Sequence, residues 1–549
     1  MKKNKKIHPA VYDFRSDFEN GKLTRREFLR YATLLGVSAA AASQMAGLWI
    51  PGNASASPIR RGGTIRVSGT AAKITHPANI SWISQSQLMR QVAEYLTFTD
   101  ENNITHPYLL ESWEASHYLK TWTLNIRSGI RFNNGDELTA DDVIFSFRQW
   151  LDKDVGSSLR GMIGGYLSPN NIKKLSKYQI RLFLKRPELA VPEHLFHYPA
   201  LILNHRTFEG DFLRHPHGTG PYTIESHKPG ERYLLRRRKD YWQTGEDKKN
   251  LPYLDAVEYL DLGEDMSRRL DAILSGEVDV IDLCDVGGPD FYLALKDKPQ
   301  VSAMPIPTAQ ARVLRMRVDR KPWDDNRVRM ALKLCQDRKK ILKHAYYDQG
   351  LLGHDTHVYP RHPEYCRKRI PRYDPDRARS LLKEAGYSGG IDVTLAVGQD
   401  WKDVVRYAEI LKADAAPAGF RIKMDKMPND EYYKKWTEFD LGITPWTHRP
   451  LGTMVMNLAY IADDQGKPVA WNETRWVDNE FSKKLELANG TLNNGARRRI
   501  FCELEDIQMK RGSIGIPFWR NVWMVAGKRV QDIRPHPNLY LMFDKVWLS

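Results

Sequence analysis

The stretch WTLNIRSGIRFNNGDELTADDVIFS, residues 122–146, decides the fold class. Trp122, Leu124 and Ile126 alternate with Thr123, Asn125 and Arg127, the period-two pattern of a half-buried strand that breaks at Ser128-Gly129. Ile130–Phe132 resumes the extended pattern, and Asn133-Asn134-Gly135-Asp136 then supplies tight-turn chemistry. Thr139-Ala140-Asp141-Asp142 opens an amphipathic helix that runs through Trp150. Thr139 is the expected N-cap, and the two acids suit the positive end of the helix dipole. Val143, Phe147 and Trp150 fall on one face. A strand, a turn and a capped helix in direct succession predict a mixed α/β protein.

The same alternation extends outward. Thr64–Ser68 reads as a strand entered through Gly62-Gly63, and Val313–Val318, Ile391–Val397 and Phe420–Met424 read as further strands. Asn326–Tyr347 is expected as one long helix with Val328, Ala331, Leu332, Cys335, Ile341 and Leu342 inward. Pro375–Ala385, closed by Gly386, and Trp401–Ala416 are two more. The chain has 549 residues, whereas a single core stops growing near ~250–300. Two lobes are therefore expected. The extended segments Ser302–Val318 and Ser513–Trp523, stiffened by Pro305, Pro307 and Pro517, are the expected crossings between them.

Composition is that of an ordinary globular chain, 42% hydrophobic and 27% charged, with 15 Trp. The formal charge of +16 divides into +5 within residues 1–56 and +11 spread thinly over the rest. The densest basic runs, Arg236–Lys239 and Arg497–Arg499, read as solvated faces and not phosphate tracks, so no nucleic-acid partner is expected. Thr24-Arg25-Arg26-Glu27-Phe28-Leu29-Arg30 is a twin-arginine export signature. A weakly apolar segment, Tyr31–Ile50, follows it, and Ala54-Ser55-Ala56 offers a small-x-small cleavage site. Residues 1–56 are therefore expected to be a leader that carries the folded protein to a periplasm, with cleavage near Ala56. Cys284, Cys335, Cys366 and Cys502 form no CxxC pair, and one or two disulfides or free buried thiols are all open.

With these segments placed, the motifs point to one family. Arg61-Gly62-Gly63-Thr64-Ile65, the 122–146 stretch, His217-Gly218-Thr219-Gly220-Pro221-Tyr222 and Asp240-Tyr241-Trp242 stand in its order. Pro252–Asp255, Leu274–Asp279, Pro322–Leu332 and Tyr373–Tyr387 follow. Over residues 60–545 the chain resembles the family 5 extracellular solute-binding proteins, the peptide/nickel/opine components of ABC importers. Most of these residues read as scaffold, in turns and caps.

The resemblance implies a two-lobed periplasmic binding protein-like fold of type II, with an enlarged first lobe and hinge closure over a small solute. Lobe I is expected over 57–305 with a subdomain near 100–215, lobe II over 306–512, and a return to lobe I over 513–549. It also implies docking on ABC permease membrane subunits by a monomer without cofactor. In peptide-binding members a Trp-x-x-Asp segment pairs its acid with the peptide's ammonium. Here Trp446-Thr447-His448-Arg449 puts a guanidinium at that position. Arg449 has no acceptor for an ammonium and suits a carboxylate or phosphate. The expected ligand is accordingly opine-like, acylated or otherwise carboxylate-bearing, unless Arg449 pairs with a nearby acid away from the pocket. Trp446, His448 and Arg449 are the candidate ligand residues, with Trp401 and Trp471 as stacking walls, beside Trp476.

Two other classes compete. A folded, exported hydrolase would suit the leader, but H-E-x-x-H, GxxxxGK and GxGxxG motifs do not occur, and the one G-x-S-x-G match, Gly386–Gly390, falls in the turn that closes the helix expected over Pro375–Ala385. The expectation is that the chain is not an enzyme. A metal-chelate binding protein could use His354, Asp355 and His357 with His362, or His215 with His217. These read more simply as plain surface histidines in polar loops.

Overall fold

Alternating burial along Thr121–Ile126 places Trp122, Leu124 and Ile126 inward, and the strand pairs on both sides in an antiparallel sheet. The computed structural model describes residues 7–47, 59–80, 82–263, 265–283, 288–463 and 465–549. The expected cleavage site at Ala54–Ala56, and Cys284, lie outside these residues. Among the described residues, no helix is long and apolar enough to cross a membrane.

The chain divides into two units. The first comprises Met1–Gly287, Phe291–Met304 and Trp523–Ser549, and the second Gly288–Asp290 and Pro305–Val522. The chain passes from one to the other inside two long strands, Val301–Met316 and Phe518–Gly527. The second passage falls after Val522 and not at the expected 513, because Ile514–Gly515 and Phe518–Arg520 pair with strands of the second unit.

In the first unit Thr64–Ser68 lies parallel to both Ala256–Leu260 and Val280–Ile281, and Arg232–Arg237 and Tyr222–Lys228 extend the sheet antiparallel. A separate four-stranded antiparallel sheet is built from Leu110–Ala115, Thr121–Ile126, Gln179–Phe183 and Ile172–Ser176. The helix Ala140–Leu151 packs beside it. Thr139 starts this helix in a reciprocal box: its backbone N–H donates to Asp142 Oδ2 at 2.8 Å, and its Oγ1 accepts from Asp141 N–H at 3.3 Å. The turn at 133–136 forms, but Ile130–Phe132 does not join a ladder, and only an isolated bridge links Arg131 to Glu137. Gly218 is required by close approach, since a Cβ there would stand 2.0 Å from the Val92 carbonyl oxygen.

Residues 10–47, expected as a leader, belong to this first unit. They form three helices, α1 (Ala10–Glu19), α2 (Arg25–Leu34) and α3 (Ala39–Met45).

In the second unit Ile391–Gly398 runs parallel to Phe420–Met427 and, at Ala396, to Leu441–Trp446. Leu441–Trp446 in turn pairs antiparallel with Ala311–Met316. Lys402–Ala415, Pro375–Glu384, Asn479–Gly490 and Asn494–Arg511 are its main helices. The single helix expected over 326–347 is two, Asn326–Leu334 and Arg338–Tyr346. Asp337 explains the break, because its carboxylate accepts from Lys340 N–H at 3.0 Å and starts a new helix. Cys366 and Cys502 form a disulfide across 136 positions, and Cys335 is a buried free thiol pushed up to about 12 by burial.

Candidate functional site

The candidate site grows from the strand Leu441–Trp446 in the second unit. Its alternation puts Gly442, Thr444 and Trp446 on one face, opposite Arg315, Val313 and Ala311. Gly442 makes room for Arg315, since a Cβ there would stand 2.9 Å from Arg315 Nη2. Into this face comes Glu473, carried by a loop that Asn472 closes by donating to the Trp476 carbonyl at 2.9 Å.

Glu473 is buried and fully engaged. Trp446 Nε1 donates to Oε1 at 2.8 Å, Thr444 Oγ1 donates to Oε2 at 2.5 Å, and Arg315 Nε lies 3.3 Å from Oε2. Burial raises its pKa, and Arg315 with the two hydrogen bonds pulls the other way. A buried charge needs such partners. Trp446 is thereby fixed in azimuth. It meets Trp471 at 6.0 Å, Trp436 at 6.1 Å and His357 at 5.3 Å between ring centroids, all edge to face. Trp436 and Trp471 close the triangle at 5.7 Å. Edge-to-face packing is the favoured aromatic geometry.

The row continues in both directions. Tyr433 links Trp436 to Trp401 at 6.4 and 5.1 Å, and His357 links Trp446 to Trp519 at 5.3 and 6.1 Å. His357 Nδ1 lies 2.7 Å from Tyr460 Oη. Burial, together with the neighbouring Arg449 and His362, lowers its pKa to about 3, so the imidazole is neutral.

Arg449 is buried at the end of the following segment. Its Nη1 donates to Thr447 Oγ1 at 2.6 Å and to the His448 carbonyl at 3.0 Å. His362 holds the Arg449 backbone. Its Nδ1 accepts from Tyr359 N–H at 3.1 Å, which leaves the ring proton on Nε2 to donate to Arg449 O at 2.8 Å. His448 Nδ1 accepts from Ala309 N–H at 2.9 Å and ties the segment to the strand Val301–Met316.

The structure thus brings Trp446, Trp471 and Arg449 into one neighbourhood through His357. His448 serves its backbone, and Trp401 stands at the far end of the row against Tyr432 and Tyr433. Trp476 packs on Tyr460 and Phe481. Glu473, Arg315, Trp436 and Trp519 went unread in the sequence. Only the Trp471-Asn472-Glu473 run, an acid two residues from a tryptophan, hinted at one of them.

The metal-binding alternative does not assemble, and His354, His357 and His362 are buried and not the surface residues expected. His354 faces Glu505 at 3.2 Å, Asp355 pairs with Arg338 at 2.7 Å, and His357 and His362 have the separate partners given above. His215 and His217 stack at 5.8 Å, and His217 Nδ1 lies 3.0 Å from Thr207 Oγ1. Among the described residues, no group of three or more His, Cys, Asp or Glu side chains is placed to hold a metal ion.

An α/β chain in two units, joined through paired long strands, with a rigid aromatic and charged wall on one of them, has the two-lobed fold of a binding protein. Comparison with known proteins agrees. The family described as bacterial extracellular solute-binding proteins, family 5 Middle, matches residues 105–466. The chain belongs to that family. Among curated relatives, di/tripeptide-binding protein 1 of Pseudomonas aeruginosa is 26% identical over 478 residues, covering 78% of this chain and 83% of the relative. The dipeptide-binding protein of Escherichia coli K12 is 25% identical, covering 73% and 78%. Among solved structures, the PBP AgaA of A. tumefaciens R10 in complex with agropinic acid superposes with a TM-score of 0.78 at 19% identity, covering 89% of this chain and 99% of that one. The DppA protein of Helicobacter pylori in complex with the peptide STSA gives 0.77 at 21% identity, covering 89% and 98%.

Proposed function

We propose that this chain is the exported substrate-binding component of an ABC importer, which captures a carboxylate-bearing small solute and delivers it chemically unchanged to the membrane subunits. The twin-arginine signature supports export to the periplasm. Family membership supports binding without turnover. Peptides, glutathione, agropinic acid and nickel–histidine complexes are the solutes named for its relatives, and an opine-like or acylated compound is the preferred one here.

The observation that carries this preference is Arg449. A guanidinium stands where peptide-binding members place an acid, next to a wall whose histidine is neutral and whose carboxylate, Glu473, is taken up by Arg315, Thr444 and Trp446. Such a wall offers positive charge and aromatic surface, which fits a carboxylate on an organic frame. The test is calorimetric binding of a panel of free-amine dipeptides, N-acyl peptides and opine-type imino acids to wild type and Arg449→Asp. Wild type is expected to prefer the carboxylate-rich compounds, and the variant to lose at least 100-fold in affinity for them. Equal preference of both proteins for the same free-amine dipeptides would overturn the assignment.

A further inference from the structure

The segment that carries the twin-arginine signature is folded onto the protein. Helix α2 begins with a reciprocal box in which Thr24 N–H donates to Glu27 Oε2 at 2.7 Å and Glu27 N–H donates to Thr24 Oγ1 at 3.3 Å. Phe28, Leu29, Tyr31, Ala32, Leu34, Leu35 and Val37 are buried. Phe14 and Phe18 of α1 stack on Tyr31 and Phe28 at 5.1 and 5.6 Å.

Four contacts tie this module to the body of the first unit. Trp113, on the strand Leu110–Ala115, donates its indole Nε1–H to the Leu34 carbonyl at 2.9 Å, satisfying a group that every helix C-terminus leaves without an intrahelical partner. Arg26 Nε donates to the Asn102 carbonyl at 3.0 Å. Gly36, at φ +90°, lets the chain pass so close to Trp113 that a Cβ would sit 2.3 Å from its carbonyl oxygen. His8 also stacks on His117 at 5.9 Å and 10°. Arg25 stays exposed while Arg26 is half-buried, so the pair is presented unequally.

We propose that residues 8–47 form a docked helical cap on the first unit in the full-length chain, and that the body competes with the export machinery for Arg26 and the apolar face of α2. The cap must lift before the signature is read. The surface around Trp113 and Asn102 is thus a docking site whose occupant is the chain's own α2. This gate rests on the export reading above, whereas the docking itself does not.

The experiment uses the full-length chain. Hydrogen exchange of amides 28–35 is expected to be slowed at least 100-fold relative to unstructured peptide. Trp113→Phe removes one hydrogen bond and leaves the leader sequence intact, and should cut that protection about fivefold. Gly36→Val should abolish it while amides 121–126 stay protected, which separates undocking from unfolding. Unprotected exchange of 28–35 in wild type overturns the docking. In cells Trp113→Phe should be exported up to fivefold faster, and an unchanged or slower rate overturns the gate. Arg25→Lys with Arg26→Lys should stop export in both backgrounds. Continued export would sink the export reading while leaving the docking result standing.

Discussion

Trp446 and Glu473 are joined by a 2.8 Å hydrogen bond from indole Nε1 to carboxylate Oε1, and the same carboxylate neutralises Arg315 beneath the sheet. One acid therefore sets both the orientation of the aromatic wall and the charge balance of the core under it. Glu473→Gln keeps the shape and an acceptor for Trp446 but leaves Arg315 buried without a counter-charge. The expected loss is about 3 kcal/mol of stability, read as a shift in the urea transition. A loss below ~1 kcal/mol would show that Arg315 is neutralised elsewhere.

Glu94 gives a pH prediction. It is fully buried in the first unit, and burial raises its pKa to about 7 despite hydrogen bonds from Tyr241 Oη at 2.6 Å and Trp242 Nε1 at 3.0 Å. Because its folded pKa exceeds its unfolded one, the folded state binds the extra proton between these values. The stabilising contribution is complete below pH ~4.5 and is lost as pH rises toward about 7, by ~3 kcal/mol in all. Glu94→Gln should flatten that decline when unfolding is compared at pH 5 and pH 7.5. A slope identical to wild type would mean that another group carries the linkage.

The Cys366–Cys502 bridge closes a loop of 136 positions inside the second unit. On the chain-entropy argument its removal costs about 3–5 kcal/mol. Cys366→Ala with Cys502→Ala is expected to unfold at lower denaturant, and reductant should move wild type but not the double variant. Superimposable curves for the two proteins would refute a stabilising role.

Gly218→Ala tests the packing of the first unit. The new methyl would meet the Val92 carbonyl oxygen at 2.0 Å, a distance that only backbone movement can relieve. We expect a loss of about 3 kcal/mol or more and reduced soluble yield. A variant as stable as wild type would show that the 91–92 backbone yields easily.

What was legible in the sequence was local. The strand at 122–126 and the capped helix after Thr139 follow from alternation and from a side chain reaching two or three residues along the chain. The helix expected over 326–347 failed for the complementary reason. Apolar spacing runs on through Cys335, but Asp337 makes a better start than it does a helix interior. Glu473 and Arg315 are far apart in the chain and meet only where the loop of Glu473 folds onto the strand of Arg315, so no window could show them together. Arg449 was visible only as a departure from a family pattern, and the neutral state of His357 depends on burial that no spacing encodes. The leader was read as an address, whereas its folded contacts with Trp113 and Asn102 depend on the tertiary surface.

The neutrality of His357 reaches beyond the wall it sits in. On the export reading proposed above, the protein would meet whatever acidity its surroundings impose. An ordinary imidazole there would gain charge between neutrality and mild acid, adding a second cation next to Arg449. With His357 staying uncharged down to about 3, its place in the aromatic row keeps a single charge state across that range.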